Sequence, residues 1–410
     1  MTALIIFVVA YAGIALGKVP GLMIDRVGVA LLGAIAMVVW QVVSIEEAFA
    51  AIDLPTILLL YSLMIVSAQL RLGGFYTWVA QRIAVGSVHP RSFLLVIMLV
   101  GGVLSAVLAN DIVCFALTPI LALALIEARL NPMPYLLALA VASNIGSAAT
   151  IIGNPQNMLI GQTGQLDFPA FFTWCAPPAL ASMVVSYLII LLMFRRSLRL
   201  AAATPSSTAD EPGRPFDRWQ STKGLVAVAV LIGLFFTPLP REISAIGVAG
   251  LLLCSRKMKT RDITGLVDWH LITLFCALFV IIHGISRGGL LVEIIDHLRA
   301  VGIDLASPSI LTGVSVLLSN LFSNVPAVML LLGFLDPAQP EQWYVLAVSS
   351  TFAGNLFLLG SIANLIVVEQ AARYRIRISV LQHALVGIPV TIASLAVLLG
   401  WLALLHGIKP

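Results

Sequence analysis

Charged residues are what this chain has least of: Asp, Glu, Lys and Arg fill 10% of 410 positions, while 60% are hydrophobic. A soluble domain needs a polar shell, and so few charges cannot supply one over such a length. Apolar runs of roughly 17–25 residues recur instead, the length a bilayer asks of a spanning helix. They do not alternate with a period of two, which excludes a membrane β-barrel. Cysteine is sparse as well. Cys114, Cys175, Cys254 and Cys276 lie in apolar stretches without CxxC or Cys/His spacing, so they read as small hydrophobic side chains in helices. There is no HExxH, no GxSxG, no pair of intramembrane aspartates and no phosphate-binding loop. A membrane enzyme would lack its acid and base, and ATP is not the energy source. The net charge of +4 is too small to point to a nucleic-acid partner. Met1–Leu16 leads straight into Lys18 and reads as a first membrane helix rather than a cleaved signal.

One hydrophilic stretch, residues 195–223, interrupts the apolar runs; rich in Ser, Thr, Pro and charge, it reads as a flexible linker. The halves on either side, 1–194 and 224–410, resemble each other. Residues 52–74 align without gaps on 267–289, with six identities in 23 positions, among them Asp53 with Asp268 and Gly73-Gly74 with Gly288-Gly289. A similar offset pairs LANDIVCFALTPI (108–120) with FSNVPAVMLLLGF (322–334), and a slightly shorter one pairs SNIGSAATIIGNPQN (143–157) with STFAGNLFLLGSIAN (350–364). Three blocks in one order indicate an internal repeat. Reading 92–126 and 309–335 as re-entrant hairpins leaves five crossings per half, an odd number, so the repeats are expected to be inverted. With the linker in the cytoplasm, 19 of the 23 basic residues fall on the inside, as the positive-inside bias requires. Both termini then face outside.

The chemistry is expected where the apolar runs break, because backbone that is not helical at membrane depth must line protein or a water-filled cavity. Two hairpin tips, Ala109-Asn110-Asp111 and Ser323-Asn324-Val325-Pro326, and the two interrupted helices at 143–157 and 350–364 carry these breaks. Broken helices at matching places in two inverted halves point to a transport site at mid-membrane. Half-helix N-termini offer N–H groups to an anion, while unwound carbonyls and Asn, Ser and Thr oxygens can replace water around a cation. Candidate substrate ligands are therefore Asn110, Ser143, Asn144, Asn154, Asn157, Ser323, Asn324, Ser350, Thr351 and Asn364. Candidate ligands of a coupling Na+ or H+ are Asp111, Asn110, Thr150, Gly153, Asn324, Asn355 and Gly360. Asp111 is the one acidic residue placed at membrane depth, and its counterpart is Val325; it either binds a coupling ion or makes a buried structural hydrogen bond. His270 and His283 are weaker candidates.

At these residues the sequence resembles the ion transporter superfamily, which groups arsenite permeases, divalent-anion/sodium symporters, citrate transporters and the melanosomal P protein. LANDIVCFALTPI is similar to the first hairpin tip of arsenite permeases, and Gly153, Pro155 and Asn157 match the Gly-x-Pro-x-Asn turn of the P protein and dicarboxylate carriers. Ser323-Asn324 resembles the symporters' Ser-Asn-Thr signature, with Val325 in place of Thr; the first tip has Ala109 and Asp111 where Ser and Thr would stand. The resemblance implies an all-α fold with a scaffold layer and a mobile layer moving as an elevator, often as a homodimer, and no cofactor beyond Na+ or H+. It implies ion-coupled transport of a small anion, carboxylate or inorganic oxyanion, across the inner membrane. Arsenite or antimonite efflux in exchange for protons is the alternative, and a channel fits less well with a site closed by two opposed hairpins.

Overall fold

The computed structural model describes residues 2–16, 23–86, 89–198, 216–287 and 304–408, with positions 293, 297 and 302. The first half runs through α1 (Thr2–Leu16), α2 (Arg26–Val39), α3 (Ile45–Ala51), α4 (Leu54–Leu72), α5 (Phe75–Gly86), α6 (Pro90–Val107), α7 (Asn110–Glu127), α8 (Met133–Ser147), α9 (Pro155–Thr163) and α10 (Phe168–Met193). The second holds α11 (Arg218–Phe235), α12 (Arg241–Leu253), α13 (Thr260–Thr264), α14 (Trp269–Ser286), α15 (Pro308–Phe322), α16 (Asn324–Leu332), α17 (Pro340–Ala353), α18 (Ile362–Arg373) and α19 (Val380–Ile408). A single 3-10 turn, Leu358–Gly360, precedes α18. Among the described residues six helices, α4, α6, α7, α10, α14 and α19, are long and apolar enough to cross a membrane. The chain is an all-helical, multi-pass membrane protein. Leu180, Val184, Leu188 and Leu192 form an exposed apolar stripe along α10 at helical spacing, a face made for lipid rather than water.

Matching caps explain why the aligned blocks begin where they do. Asp53 accepts from the Thr56 N–H at 2.8 Å and starts α4; Asp268 accepts from the Leu271 N–H at 3.0 Å and starts α14. Each carboxylate satisfies one of the orphan donors of a first turn and favours the positive end of the helix dipole. Asp53 and Asp268 therefore end up in the same structural role. Packing follows the same order, α6 lying along α8 and α15 along α17, while α2 packs on α14 and α4 on α12.

The interrupted helices sit at the centre. Every residue of α8 from Pro134 to Ser147 and every residue of α17 from Gln342 to Ala353 is buried. Close backbone approach makes this possible where α6 crosses α8. A Cβ on Gly146 would run into the carbonyl and Cα of Gly102, so glycine is required at that contact.

Two expectations change in detail. The stretch taken as linker ends earlier: Asp217 caps α11 through the N–H groups of Trp219 (3.0 Å) and Gln220 (3.1 Å), so residues 218–223 are helical. Two of its polar residues, Gln220 and Ser221, are buried against α4. Ser221 Oγ donates to Gly73 O at 2.8 Å, Gln69 Nε2 donates to Gln220 Oε1 at 2.9 Å, and Phe216 stacks on Trp78 at 5.4 Å. Ser221 thus supplies a donor to the carbonyl of Gly73, the C-cap of α4, which a helix end leaves open. Residues 199–215 and Gly288-Gly289 lie outside the described residues. Cys254 is the second difference: it caps the end of α12 and is exposed, not packed inside a helix.

Overpacking the α6–α8 crossing should be costly. Gly146→Leu is expected to destabilise the protein by about 1–3 kcal/mol or prevent folding. Gly247→Ala, where an added Cβ meets nothing within 4 Å, should leave the thermal unfolding temperature in detergent unchanged.

Candidate functional site

The breaks keep their shape because two asparagines tie them. Asn157, in the first turn of α9, donates from its amide to Ser147 O (3.3 Å) and Thr150 O (3.1 Å), ten and seven residues upstream. Asn364, in the first turn of α18, donates to Gly354 O (2.7 Å) and Phe357 O (3.4 Å), again ten and seven residues upstream. The carbonyls freed by each unwound segment thus find donors inside the protein, which the low-dielectric interior demands. Caps at matching positions complete the pattern: Asn154 accepts from the Asn157 N–H (2.8 Å), and Ser361 accepts from the Ala363 N–H (3.2 Å).

Asn144 joins the two breaks. Its Nδ2 donates to Asn355 Oδ1 (2.9 Å) and Asn364 Oδ1 (3.0 Å), and its Oδ1 accepts from Ser361 Oγ (3.0 Å) and Asn110 Nδ2 (3.2 Å). On the opposite side, Asn154 Nδ2 donates to Thr351 Oγ1 at 3.2 Å and to Ser147 Oγ at 2.9 Å. Each hairpin tip is fastened to a break as well. The Asn110 N–H donates to Gly153 O (3.0 Å), and Ser143 Oγ donates to Asn110 O (3.2 Å). The Asn324 amide, its nitrogen turned toward the carbonyls, donates to Gly360 O (2.9 Å) and Ser350 O (3.1 Å). Thr150 Oγ1 is spent on Ala106 O. Ser323 takes φ +77°, a left-handed conformation uncommon for a side chain of its kind, and that strain sits at the second tip.

Between tips and breaks lies a small, partly open cavity, lined by Asn110 and Asp111, Pro155 and Gln156, Ser323, Asn324 and Val325, and Ser361 and Ile362. These are the opening residues or caps of α7, α9, α16 and α18, so four helix N-termini form its wall. First-turn N–H groups have no intrahelical partner, and the dipoles leave that wall partially positive. Among the described residues, no Lys, Arg or His lines it. Asp111, half-buried in the wall, makes no hydrogen bond or ion pair among the described residues.

A model of the citrate transporter family matches residues 4–353. The chain belongs to that family. Curated relatives include the silicon efflux transporter LSI3 of Oryza sativa subsp. japonica, 30% identical over 93% of both chains. The inner membrane protein YbiR of Escherichia coli is 30% identical over 80% of this chain and 82% of its own. A putative transporter arsB of Dictyostelium discoideum is 25% identical over 97% and 89%. Among solved structures, the fold is similar to the crystal structure of the Alcanivorax borkumensis YdaH transporter, at a TM-score of 0.55 and 17% identity, covering 98% and 96% of the two chains. This citrate transporter family member is a secondary transporter within the wider ion transporter superfamily, and not an enzyme.

Of the candidates named from sequence, Asn110, Asp111, Ser323 and Asn324 line the cavity. Ser143, Asn144, Asn154, Asn157, Ser350, Thr351, Asn355 and Asn364 are fully buried behind it, their polar groups largely engaged with one another. They hold the cavity wall rather than form its surface. Thr150, Gly153 and Gly360 contribute as turn residues whose oxygens fasten the tips and breaks. Sequence reasoning missed Gln156 and Ser361, the polar side chains that α9 and α18 bring to the wall; both directly follow the Pro or Gly where a helix restarts. His270 is exposed, and neither it nor His283 reaches the cavity.

Asn144→Leu leaves four partners short at once, and should lower stability by about 3 kcal/mol. Asn131→Ala, at an exposed position, should stay within about 0.5 kcal/mol. Thermal unfolding of the two variants in detergent checks the contrast.

Proposed function

We propose that this family member is an elevator-type secondary transporter built from two inverted repeats, 1–194 and 224–410, and that it moves a small anion coupled to Na+ or H+. The observation that carries this reading is the cavity wall of four helix N-termini, two from each half, with the lone carboxylate of Asp111 among them. Supporting the inverted repeat, the two breaks share one hydrogen-bond pattern, and each half's second hairpin arm packs on the other half's broken helix, α7 on α18 and α16 on α9. The short α16, at nine residues and about 13 Å long, suits an arm that turns back within the membrane. We place the linker in the cytoplasm, both termini outside, and the protein in the inner membrane as a homodimer.

Asp111 is the coupling residue in this reading. A carboxylate without a protein partner in a wall that otherwise offers partial positive charge can take a proton or sodium ion as the anion binds. One charge then offsets the other, and the loaded element crosses the bilayer at less cost. A second reading is favoured by the absence of any cationic side chain in the wall: a neutral, hydroxyl-bearing acid exchanging with protons at Asp111. Relatives named as a silicon efflux transporter and a putative arsB transporter fit that alternative.

Proteoliposomes with Na+ and pH gradients imposed separately, offered citrate, sulfate, arsenite or silicic acid, distinguish the two. Asp111→Asn should fold, since the amide is nearly isosteric, and should abolish dependence on whichever gradient drives the native protein. Native transport with unchanged ion dependence would assign coupling to the carbonyls and hydroxyls of the breaks instead.

A further inference from the structure

The two halves are not fastened alike, and the difference lies at the ends of the broken helices, away from the cavity. Arg241 opens α12, in the second half, yet its guanidinium reaches the C-terminal turn of α9, in the first. Nη2 donates to Gly161 O at 2.7 Å and to Gln162 Oε1 at 3.3 Å, and Nη1 donates to Leu166 O. The neighbouring Glu242 accepts from Gln162 Nε2 at 3.1 Å. A cation at a helix N-terminus opposes that helix's own dipole, so α12 gains nothing from Arg241. The end of α9 does gain, because its last carbonyls have no intrahelical donors. Aromatic contacts lie on the same side: Phe168 packs on Phe235 and Phe236 at 5.6 and 5.5 Å.

The matching position in the first half is Arg26, which opens α2 and stands at the same offset of 215 that relates Asp53 to Asp268. Its corresponding target is the end of α18, which closes with the same turn as α9: Leu166 N–H to Gly161 O in one (3.0 Å), Ile376 N–H to Ala371 O in the other (3.1 Å). Arg26 nevertheless makes no hydrogen bond or ion pair among the described residues. Charge explains why. The end of α18 carries Arg373, Arg375 and Arg377, which repel a further guanidinium, whereas the end of α9 is flanked by Asp167 and Glu242. Packing is uneven in the same sense: α9 lies on α4, and no comparable packing joins α18 to α14 among the described residues.

We infer that Arg241 is a one-sided latch: it ties the moving broken helix α9 to the α12 scaffold in the conformation described here, must release when the elevator moves, and has no working counterpart at Arg26. The inference rests on the elevator reading. It means that the two end states of transport are unequal by construction, the state with Arg241 engaged being held by charge-assisted bonds that the other lacks.

The test reads conformation, not transport. In a background with Cys114, Cys175, Cys254 and Cys276 replaced, Val325→Cys reports cavity access to a membrane-impermeant maleimide in right-side-out and inside-out vesicles. Ile362→Cys serves as an independent reporter. Arg241→Gln should shift the ratio of labelling rates from the two sides by about tenfold or more, the scale of one lost charge-assisted hydrogen bond. Arg241→Lys, keeping part of the contact, should fall between, and Arg26→Gln should leave the ratio where it is. An unchanged ratio in Arg241→Gln, with or without a drop in thermal stability, reduces Arg241 to a structural cap and overturns the latch. So does an equal shift in Arg26→Gln. If the parent protein is labelled from one side only under every gradient and substrate, the elevator reading itself fails and the latch falls with it.

Discussion

Everything in this molecule depends on how a polypeptide can stop being helical inside a membrane. An unpaired carbonyl there costs several kcal/mol, and each of the two interrupted helices exposes several. Asn157 and Asn364 meet the demand by folding back onto carbonyls ten and seven residues earlier. Only a side chain with two amide hydrogens on one nitrogen, and short enough to stay beside its own backbone, does this from the first turn of the following helix. Once those carbonyls are satisfied, the helix can restart, and although Asn154 and Ser361 cap one N–H each, its dipole leaves the cavity wall partially positive without a basic residue among the described lining. The binding surface is a by-product of solving a backbone problem twice.

The amide network behind the wall has a second consequence. Asn144 is engaged on all sides by groups from both breaks and the first tip, so α7, α8 and α18 are bound into one unit. A layer that is to move as a body needs such internal stiffness, because a loosely joined group of half-helices would admit water to its orphan groups. Two polar atoms remain unanswered inside it, Asn110 Oδ1 and Asn355 Nδ2. Of the two, only Asn110 belongs to the cavity lining; Asn355 is fully buried behind it.

Much of this was legible in the sequence because the same solution is written twice. Glycine, asparagine and serine have few reasons to cluster in apolar helices, so the blocks at 143–157 and 350–364 announced the breaks, and Asp111 stood out as the one acidic residue placed at membrane depth. What could not be read was which atoms face the cavity. A first-turn residue and one a position away look alike in sequence, and only the direction of the restarting helix separates Gln156, which lines the wall, from Asn157, which faces its own carbonyls. The docked start of α11 was hidden for a related reason. Ser221 and Gln220 are as polar as any linker residue, and only the open carbonyl of Gly73 and the buried amide of Gln69 give them partners when they bury.

The proposed inversion would also explain why matched residues need not do matched work. A position near the cavity is surrounded by the other half's counterpart, so the constraint on both copies is similar and their hydrogen bonds stay parallel. A position near a membrane face is different, because inverted copies lie on opposite faces, and the positive-inside bias loads one face with arginine. In the proposed topology, Arg373, Arg375 and Arg377 at the end of α18 would follow from that bias, and the end of α9 carries no equivalent. On the proposed inverted arrangement, the symmetry around the cavity would be broken at the surfaces by topology itself. An inverted-repeat transporter that obeys the charge rule will have unequal ends even when its centre is nearly two-fold.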